Sequence, residues 1–442
     1  MAKSTTQYVC QQCGSATPKW QGQCPQCGTW NSLVETAVMP AKGRSASGRS
    51  VKTPIKLSQI KGKTLARIKT GIGELDRVLG GGIVPGSVIL LAGEPGIGKS
   101  TLITQLCLKL EGSDPSSLYV CGEESPEQIK MRIDRLKGSE LSKSSEPAHL
   151  SFLPETDTDS AIASVVNLTP APTLIIVDSI QTMYTADLTG MAGSVGQIRE
   201  SAYRWQRLVK EQGLTVILVG HVTKEGAIAG PKVLEHLVDT VLYLEGDKNH
   251  QFRILRSQKN RFGSVDEVGV FLMTDKGLTE VANPSDVFLE ERQTNVAGSA
   301  VAVVMEGTRP MLVEIQALVI PSQLAIPRRV ASGIDMRRLQ LLVAVLSKRL
   351  KLPLGTYDVY VNVAGGLNLK EPAADLAVCL AIASSFRNKA VGAKTAVFGE
   401  VGLLGEVRRV GFADKRIKEA KKLGYPQIIS PATVKNLSTL LR

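Results

Sequence analysis

The chain has 442 residues, of which 43% are hydrophobic and 21% charged, and its formal net charge is +12. This length and composition predict two or three soluble domains. No apolar run reaches the roughly 18 residues that a membrane-spanning helix needs, and the N-terminus lacks the apolar core of a secretory signal. We therefore expect a cytoplasmic protein with no membrane partner. The basic excess suits nucleic acid or another acidic partner without identifying one.

Two cysteine pairs lie near the N-terminus, Cys10-x-x-Cys13 and, ten residues later, Cys24-x-x-Cys27. Each pair fits a turn that points two thiolates at one ion, and two pairs complete a tetrahedral four-cysteine zinc site. A redox Cys-x-x-Cys pair is the alternative, but so small a module has little core without a metal. We predict a zinc module with structural Zn²⁺ over residues 1–36.

Other features of this region are less specific. Trp20 and Trp30 could stack on nucleic-acid bases or cover the metal knuckle, and we favour the covering role. Pro, Ala, Gly, Ser and basic residues dominate 37–56, which predicts a basic flexible linker. The three remaining cysteines fall in apolar helix or strand patterns and predict core thiols; they are Cys107, Cys121 and Cys379.

A phosphate-binding loop begins at Gly93, where the sequence fits G-x-x-x-x-G-K-[ST] between a predicted strand, 87–92, and a predicted helix, 101–110. Backbone N–H groups of such a loop surround phosphates, while Lys99 adds a charge and Ser100 can ligate Mg²⁺. This context predicts nucleoside triphosphate binding. The residues assigned to it are Gly93, Glu94, Pro95, Gly96, Ile97, Gly98, Lys99, Ser100 and Thr101.

Residues 57–283 predict one α/β domain, because near-continuous apolar strands alternate with helices, which is typical of a parallel sheet covered on both faces. One of these strands, 173–177, ends in Asp178 in the Walker B pattern, which predicts a carboxylate in the Mg²⁺ shell. The other predicted elements are strands 117–121, 150–153 and 214–219 and helices 125–136 and 197–211.

Glu123 and Glu124 follow strand 117–121 at the same edge of the sheet. A hydrolase needs a carboxylate to orient the attacking water near the γ-phosphate, and we favour Glu123 for that role. The alternative is that both acids only complement the N-terminus of the next helix. His221 follows strand 214–219, where it is better placed to sense the γ-phosphate than to bind metal.

Three segments carry a family resemblance. The P-loop, residues 70–83 and Lys259-Asn260-Arg261-Phe262-Gly263 (KNRFG) resemble the RadA (Sms) family of bacterial DNA repair proteins, over essentially the whole chain. The family joins a four-cysteine zinc finger, a RecA-like ATPase and a Lon-protease-like domain. The resemblance therefore implies an α/β RecA-like P-loop ATPase core and, over 284–442, an α+β Lon-like domain of the ribosomal S5-like type.

The resemblance also implies a function. Members are DNA-stimulated ATPases that form hexameric rings, act on single-stranded or branched DNA in the nucleoid, and drive branch migration together with the RecA recombinase. It implies ATP as the nucleotide and Lys259 and Arg261 as cations delivered in trans to the γ-phosphate; a basic hairpin turn or a DNA contact remains open. Residues 183–196 and 223–232 resemble DNA-facing loops, with ordinary surface loops as the alternative.

The C-terminal region resembles Lon protease at 399–407, but Ala374 stands where Lon has its serine, and the Lon lysine falls near Asp414, beside Lys415. A serine–lysine dyad needs a hydroxyl for attack, so we do not expect proteolysis. An ATP-dependent protease and an ATP-switched scaffold are the alternatives to a motor. We expect basic faces for ring assembly or DNA at Lys348, Arg349, Lys351, Lys415, Arg416, Lys418, Lys421 and Lys422.

Overall fold

The computed structural model describes residues 5–10, 15–38, 66–110, 116–137, 149–221, 233–246 and 251–440. Cys13, the linker from residue 39 onward and the predicted loop 223–232 lie outside the described residues. The chain forms two compact units, the first comprising Met1–Glu245, Leu255–Val265 and Met273–Thr279, and the second Gly246–Ile254, Asp266–Leu272 and Glu280–Arg442. In the described ranges no helix has the length and apolar character to cross a membrane.

The first unit begins with a small antiparallel sheet in the order β2-β1-β3. Its core consists of Cys10, Cys24 and Leu33, with Tyr8 packed against them. The strands are β1 (Thr5–Cys10), β2 (Ala16–Thr17) and β3 (Leu33–Val38). Trp20 and Trp30 lie outside this core, with 57% and 70% of their surface exposed, and their role as a cover of the knuckle stays a prediction.

A nine-stranded sheet follows, in the order β12-β11-β10-β9-β4-β8-β7-β5-β6. Six adjacent strands, from β9 to β6 in this order, are parallel. The strands are β4 (Val88–Gly93), β5 (Ser117–Cys121), β6 (Leu150–Leu153), β7 (Leu174–Asp178), β8 (Thr215–His221), β9 (Thr240–Glu245), β10 (Phe252–Asn260), β11 (Val268–Thr274) and β12 (Gly277–Glu280). The predicted parallel α/β sheet is confirmed.

The helices between these strands cover the sheet with apolar residues. Every residue of β4, β5 and β7 is buried. On the longest helix, Ile198, Ala202, Trp205 and Val209 are buried at the spacing of one helical face. The helices are α1 (Gly73–Leu79), α2 (Lys99–Lys109), α3 (Pro126–Lys137), α4 (Thr158–Asn167) and α5 (Val195–Gln212). Cys107 and Cys121 are buried here, as predicted.

The second unit contains a mixed six-stranded sheet in the order β15-β16-β14-β13-β17-β20. β13 and β14 form an antiparallel hairpin. The strands are β13 (Ser299–Glu306), β14 (Arg309–Pro321), β15 (Arg329–Ser332), β16 (Tyr357–Val363), β17 (Thr395–Val397), β18 (Glu400–Val401), β19 (Val407–Arg408) and β20 (Gln427–Ile429); the helices are α6 (Pro284–Leu289), α7 (Met336–Arg349), α8 (Asp375–Arg387), α9 (Ala413–Lys422) and α10 (Leu437–Leu440). Cys379 is buried in α8.

Arg416 departs from its predicted place on a basic face, because it is completely buried. Its guanidinium pairs with Glu371 and donates to the carbonyls of Val303 (2.6 Å) and Gly411 (2.9 Å). Glu371 also accepts the N–H of Met305 (2.7 Å). Burying a charge is costly unless it is paired and hydrogen-bonded, so these contacts explain why a cation is tolerated here. The other basic residues of α9 remain exposed.

We predict that Arg416→Ala destabilises the second unit by about 3–5 kcal/mol, because it leaves the Glu371 carboxylate without its cation. Lys415→Ala, one residue earlier and exposed, should change stability by no more than about 0.5 kcal/mol. Urea unfolding followed by circular dichroism measures both. Equal transitions for the two variants would show that the buried pair contributes no stability.

Candidate functional site

The loop after β4 has the geometry of a phosphate cradle. Gly98 has φ +112°, and a Cβ added to it would lie 2.5 Å from the Met273 methyl carbon. A Cβ on Gly93 would lie 2.5 Å from the Leu244 carbonyl oxygen in β9. Side chains are therefore excluded at both positions. Pro95 and Gly96 form the exposed tip of the loop.

Lys99 begins α2 and is 3% exposed. Its ammonium donates to the carbonyls of Gly93 (3.0 Å) and Glu94 (2.9 Å). Burial lowers the pKa of Lys99 to about 8, and the negative charges of Asp178 and Glu123 oppose this change. An anion at the loop would stabilise the charged ammonium further, so the site is suited to phosphate.

Asp178 ends β7, where the register places it beside Cys121 of β5 and Val219 of β8. Burial raises the pKa of its carboxyl group, while hydrogen bonds from the hydroxyls of Tyr119 and Ser100 oppose that rise. Tyr119 donates at 2.5 Å. The Ser100 hydroxyl and the Asp178 carboxylate thus lie together, and both are oxygen ligands of the kind that Mg²⁺ takes.

Tyr119 was not identified from the sequence. The signal was a phenol hydroxyl between the apolar residues Leu118 and Val120 of β5; Tyr119 is 1% exposed. A buried phenol needs a hydrogen-bond partner, and Asp178 on the neighbouring strand is that partner.

The two acids after β5 have different partners. Glu123 Oε2 lies 2.9 Å from His221 Nε2, which brings together two residues predicted independently. Burial opposes ionisation of Glu123, but the interactions with His221, Ser179 and Lys99 together outweigh it and lower the pKa of the carboxyl group. Glu124 instead pairs with Arg132 of α3. The charges of both acids act on Asp178, and the charge of Glu123 also acts on Lys99.

Two buried polar atoms beside this cluster, Nδ1 of His221 and Oε1 of Gln181, have no hydrogen-bond partner among the residues described. Gln181 Nε2 donates to the His221 carbonyl at 3.4 Å. Buried polar atoms are normally satisfied, so this edge of the sheet retains hydrogen-bonding capacity that a bound group can use.

The KNRFG turn includes Lys259 and Asn260, the last two residues of β10. It lies at the end of the sheet where β4 begins, opposite the phosphate loop. Arg261 Nη1 contacts Asp239 Oδ1 (3.1 Å), and Asp239 Oδ2 accepts the N–H of Val88, the first residue of β4. The phosphate loop follows the last residue of β4, about 17 Å away for a strand of this length. Arg261 therefore cannot reach the phosphate loop of its own chain.

The two cations of this turn differ in environment. The Lys259 ammonium donates to the carbonyls of Glu235 (2.6 Å) and Val238 (2.8 Å). Burial and the nearby charge of Arg261 lower the pKa of Lys259. The Arg261 side chain is 53% exposed.

The turn is also fixed to residues 70–83. Arg67 donates to the carbonyls of Phe262 (2.7 Å) and Leu79 (2.8 Å). Asn260 Oδ1 accepts the N–H of Phe262 (2.9 Å).

The predicted loop 183–196 is held by hydrogen bonds. The Gln197 amide donates to the carbonyls of Thr185, Leu188 and Gly190 at 2.8–3.2 Å. Thr189 donates to Glu35 of β3 through its hydroxyl (2.7 Å), which joins the zinc module to this loop.

Three of the four predicted metal ligands converge in the zinc module. The sulfur atoms of Cys10, Cys24 and Cys27 all lie within 4.8 Å of one another, and those of Cys10 and Cys27 are 3.6 Å apart. Cys13, the fourth, is outside the described residues. Converging thiols in so small a core fit a tetrahedral metal ion.

In the second unit, Ala374 is buried in the turn before α8 and lines a cavity of about 530 Å³. The Lys415 ammonium lies 5.2 Å from the centre of the Phe412 ring. The position that holds a serine in Lon thus offers no hydroxyl, as expected.

Comparison with known proteins matches three regions of the chain to known domain families. Residues 8–35 match the rubredoxin metal binding domain, 53–227 an AAA domain, and 345–440 the Lon protease (S16) C-terminal proteolytic domain. These matches and the observed sheets confirm the predicted fold class, an α/β RecA-like ATPase core between a zinc ribbon and a Lon-like domain. A KaiC-like protein from Pyrococcus horikoshii is 21% identical, with a TM-score of 0.41 over 49% of this chain and 99% of its own.

Relatives extend over nearly the full length. The DNA repair protein RadA of Bacillus subtilis is 50% identical over 98% of this chain and 93% of its own length. RadA of Pseudomonas aeruginosa is 48% identical over 98% of this chain and 94% of its own. The chain therefore belongs to the RadA family of DNA repair proteins.

Proposed function

We propose that this chain is a DNA-stimulated ATPase in which hydrolysis drives branch migration of recombination intermediates. The observation that carries the proposal is the convergence of Lys99, the Ser100–Asp178 pair and the Glu123–His221 pair at one edge of the parallel sheet. The names of the relatives support a role in DNA repair. The single- or branched-DNA substrate, the RecA partnership and a nucleoid location are part of the proposal.

Each residue at this edge has a proposed role. The loop from Gly93 to Thr101 binds the ATP phosphates, and Lys99 balances their charge. Ser100 and Asp178 would hold Mg²⁺, which when bound neutralises charge on the phosphate oxygens. Glu123 orients the attacking water and accepts its proton, because interactions with neighbouring residues keep its carboxylate ionised.

We propose that the chain works as a homo-oligomeric ring, with six subunits as in the family resemblance. Arg261 is exposed and at the opposite end of β4 from its own phosphate loop, so it acts on a neighbour's nucleotide in trans. Lys259 is held by backbone carbonyls, so it positions the turn. A DNA contact by Arg261 is the competing role.

The domain roles follow from the same proposal. Residues 1–36 form the zinc module, with Zn²⁺ held by Cys10, Cys13, Cys24 and Cys27. Residues 37–56 link the zinc module to the ATPase domain, which comprises 57–283. The Lon-like domain, 284–442, supports assembly of the ring. Proteolysis is not part of the proposal, because Ala374 cannot act as a nucleophile.

Lys99→Ala should abolish ATP hydrolysis and branch migration, because phosphate charge at the loop is no longer balanced. Lys130→Ala is the matched control, because the Lys130 side chain on α3 is 46% exposed. This variant should retain ATP hydrolysis and branch migration. Phosphate release and conversion of a synthetic three-strand junction measure the two activities. Branch migration by the Lys99→Ala protein at the control rate would contradict a motor role.

Glu123→Gln should lower ATP turnover by about 10²–10⁴-fold with little change in nucleotide affinity, because it removes the general base and keeps the side-chain size. Glu124→Gln, whose parent residue pairs with Arg132, should stay near the rate of the unmodified protein. Single-turnover hydrolysis and fluorescent-nucleotide titration separate the two effects. A larger loss in the Glu124 variant would reverse the assignment.

Arg261→Ala alone should hydrolyse ATP slowly and Lys99→Ala alone not at all, but mixed rings of the two should regain part of the activity. In mixed rings some intact phosphate loops receive Arg261 from a neighbouring Lys99→Ala subunit. Arg256→Ala, whose parent residue pairs with Glu245 (3.0 Å), serves as the control cation. If mixing restores nothing while DNA affinity falls, Arg261 is a DNA contact.

A further inference from the structure

The zinc module presents two tryptophans to solvent. Trp20 is 57% and Trp30 70% exposed, whereas the chain's third tryptophan, Trp205, is fully buried. Both exposed rings reach the same place: a Cβ added to Gly22 would lie 3.4 Å from Cζ3 of Trp30 and 4.0 Å from Cη2 of Trp20. We call these two rings the Trp20/Trp30 platform. Large aromatic surface is costly to leave in water, and an exposed pair of this kind points to a ligand with a flat apolar face.

The backbone beneath the platform is fixed. Residues 22 and 31 are joined by a hydrogen bond from Asn31 N–H to the Gly22 carbonyl (2.8 Å), and Gln23 pairs with Trp30 as an antiparallel bridge. Cys24 N–H donates to the Thr29 carbonyl (3.0 Å). These bonds hold the backbone that carries Trp30, so docking a ligand there requires little further ordering of the chain.

The sequence of this region is basic, which favours an anionic ligand. Residues 1–56 contain seven basic residues and one acid, Glu35. The Glu35 carboxylate accepts the Thr189 hydroxyl (2.7 Å) and so is engaged by the loop 183–196. Lys19, next to Trp20, is exposed. A ligand with flat apolar faces and repeated negative charges is a single-stranded nucleic acid, which proteins bind by aromatic stacking combined with basic groups.

The contact at Glu35 also fixes the module on the ATPase domain. A Cβ on Gly196, at the start of α5, would lie 3.0 Å from the Glu35 carbonyl oxygen. The segment that Glu35 contacts follows Asp178 along the chain by about a dozen residues. A nucleic-acid strand bound by the zinc module would therefore lie beside the loop that follows β7.

We propose that Trp20 and Trp30 stack on bases of a single DNA strand while Lys19 contacts its phosphate backbone. The identity of the ligand as DNA rests on the proposed function; the stacking site itself rests on the two exposed rings and on the exposed Lys19 beside Trp20.

The test is a titration of the full-length protein with oligo-dT, monitored by tryptophan emission. Binding should quench the emission, because two of the three tryptophans are exposed. Trp20→Ala and Trp30→Ala should each weaken binding about tenfold, in keeping with the usual contribution of base stacking. The salt dependence of binding should not change in these variants, whereas Lys19→Ala should reduce its slope by about 0.7.

The double variant Trp20→Phe/Trp30→Phe is the matched control. It should keep most of the affinity but lose the quenching, since only buried Trp205 remains to emit. Zinc content is measured for every variant to exclude loss of the module. Alanine variants with full zinc content and unchanged affinity, or unchanged emission at saturation, would overturn the stacking site and would point to a protein partner for the platform.

The two proposals fail separately. The Lys99→Ala protein should show normal quenching by oligo-dT although it does not hydrolyse ATP. If ATP hydrolysis proves independent of DNA while quenching persists, the motor is wrong and the platform stands. If hydrolysis is stimulated by DNA equally in the Trp20→Ala/Trp30→Ala protein, with unchanged affinity, the platform is wrong and the motor stands.

Discussion

The site depends on the position of strand β4 in the parallel sheet. All six of its residues are buried, and it is paired on both sides, with Gly93 opposite His221 of β8 and Leu244 of β9. A shift of one residue would turn every side chain to the other face of the sheet, so this register is strongly fixed. It determines which groups meet at each end: the phosphate loop and His221 at one edge, and Asp239 with the KNRFG turn at the other.

Much of the fold and of the phosphate site could be predicted from the sequence, wherever a local pattern of residues implies a local geometry. The phosphate loop, the strand ending in Asp178 and the cysteine spacing each depend on neighbours within a few residues. Strand and helix positions in the ATPase domain were also close, because apolar runs alternate with polar breaks. Glu123 was distinguished from Glu124 on position alone; their different partners, His221 and Arg132, became visible only through contacts between distant segments.

The burial of single basic and aromatic residues could not be predicted from the sequence, because residue type alone does not show how deeply a side chain is buried. Arg416 belongs to a run of basic residues typical of an exposed helix face, yet it is fully buried, because Glu371 and two carbonyls meet it there. Trp20 and Trp30 lie outside the small core that Cys10, Cys24, Leu33 and Tyr8 form among the described residues, and their exposure could not be predicted from the sequence. In the Lon-like domain, Ala374 shares a cavity with Arg338 and Asp375, which pair with each other, and with Glu371, which pairs with Arg416.

Asp239 connects the KNRFG turn with the start of β4. One of its carboxylate oxygens accepts the first N–H of β4 and the other contacts Arg261. When Arg261 moves to a neighbour's phosphate in the proposed ring, Asp239 loses a counter-ion but keeps its bond to the strand. In the proposed ring, this one carboxylate would therefore link the start of the strand that leads to a subunit's own phosphate loop with the cation that the subunit offers to its neighbour.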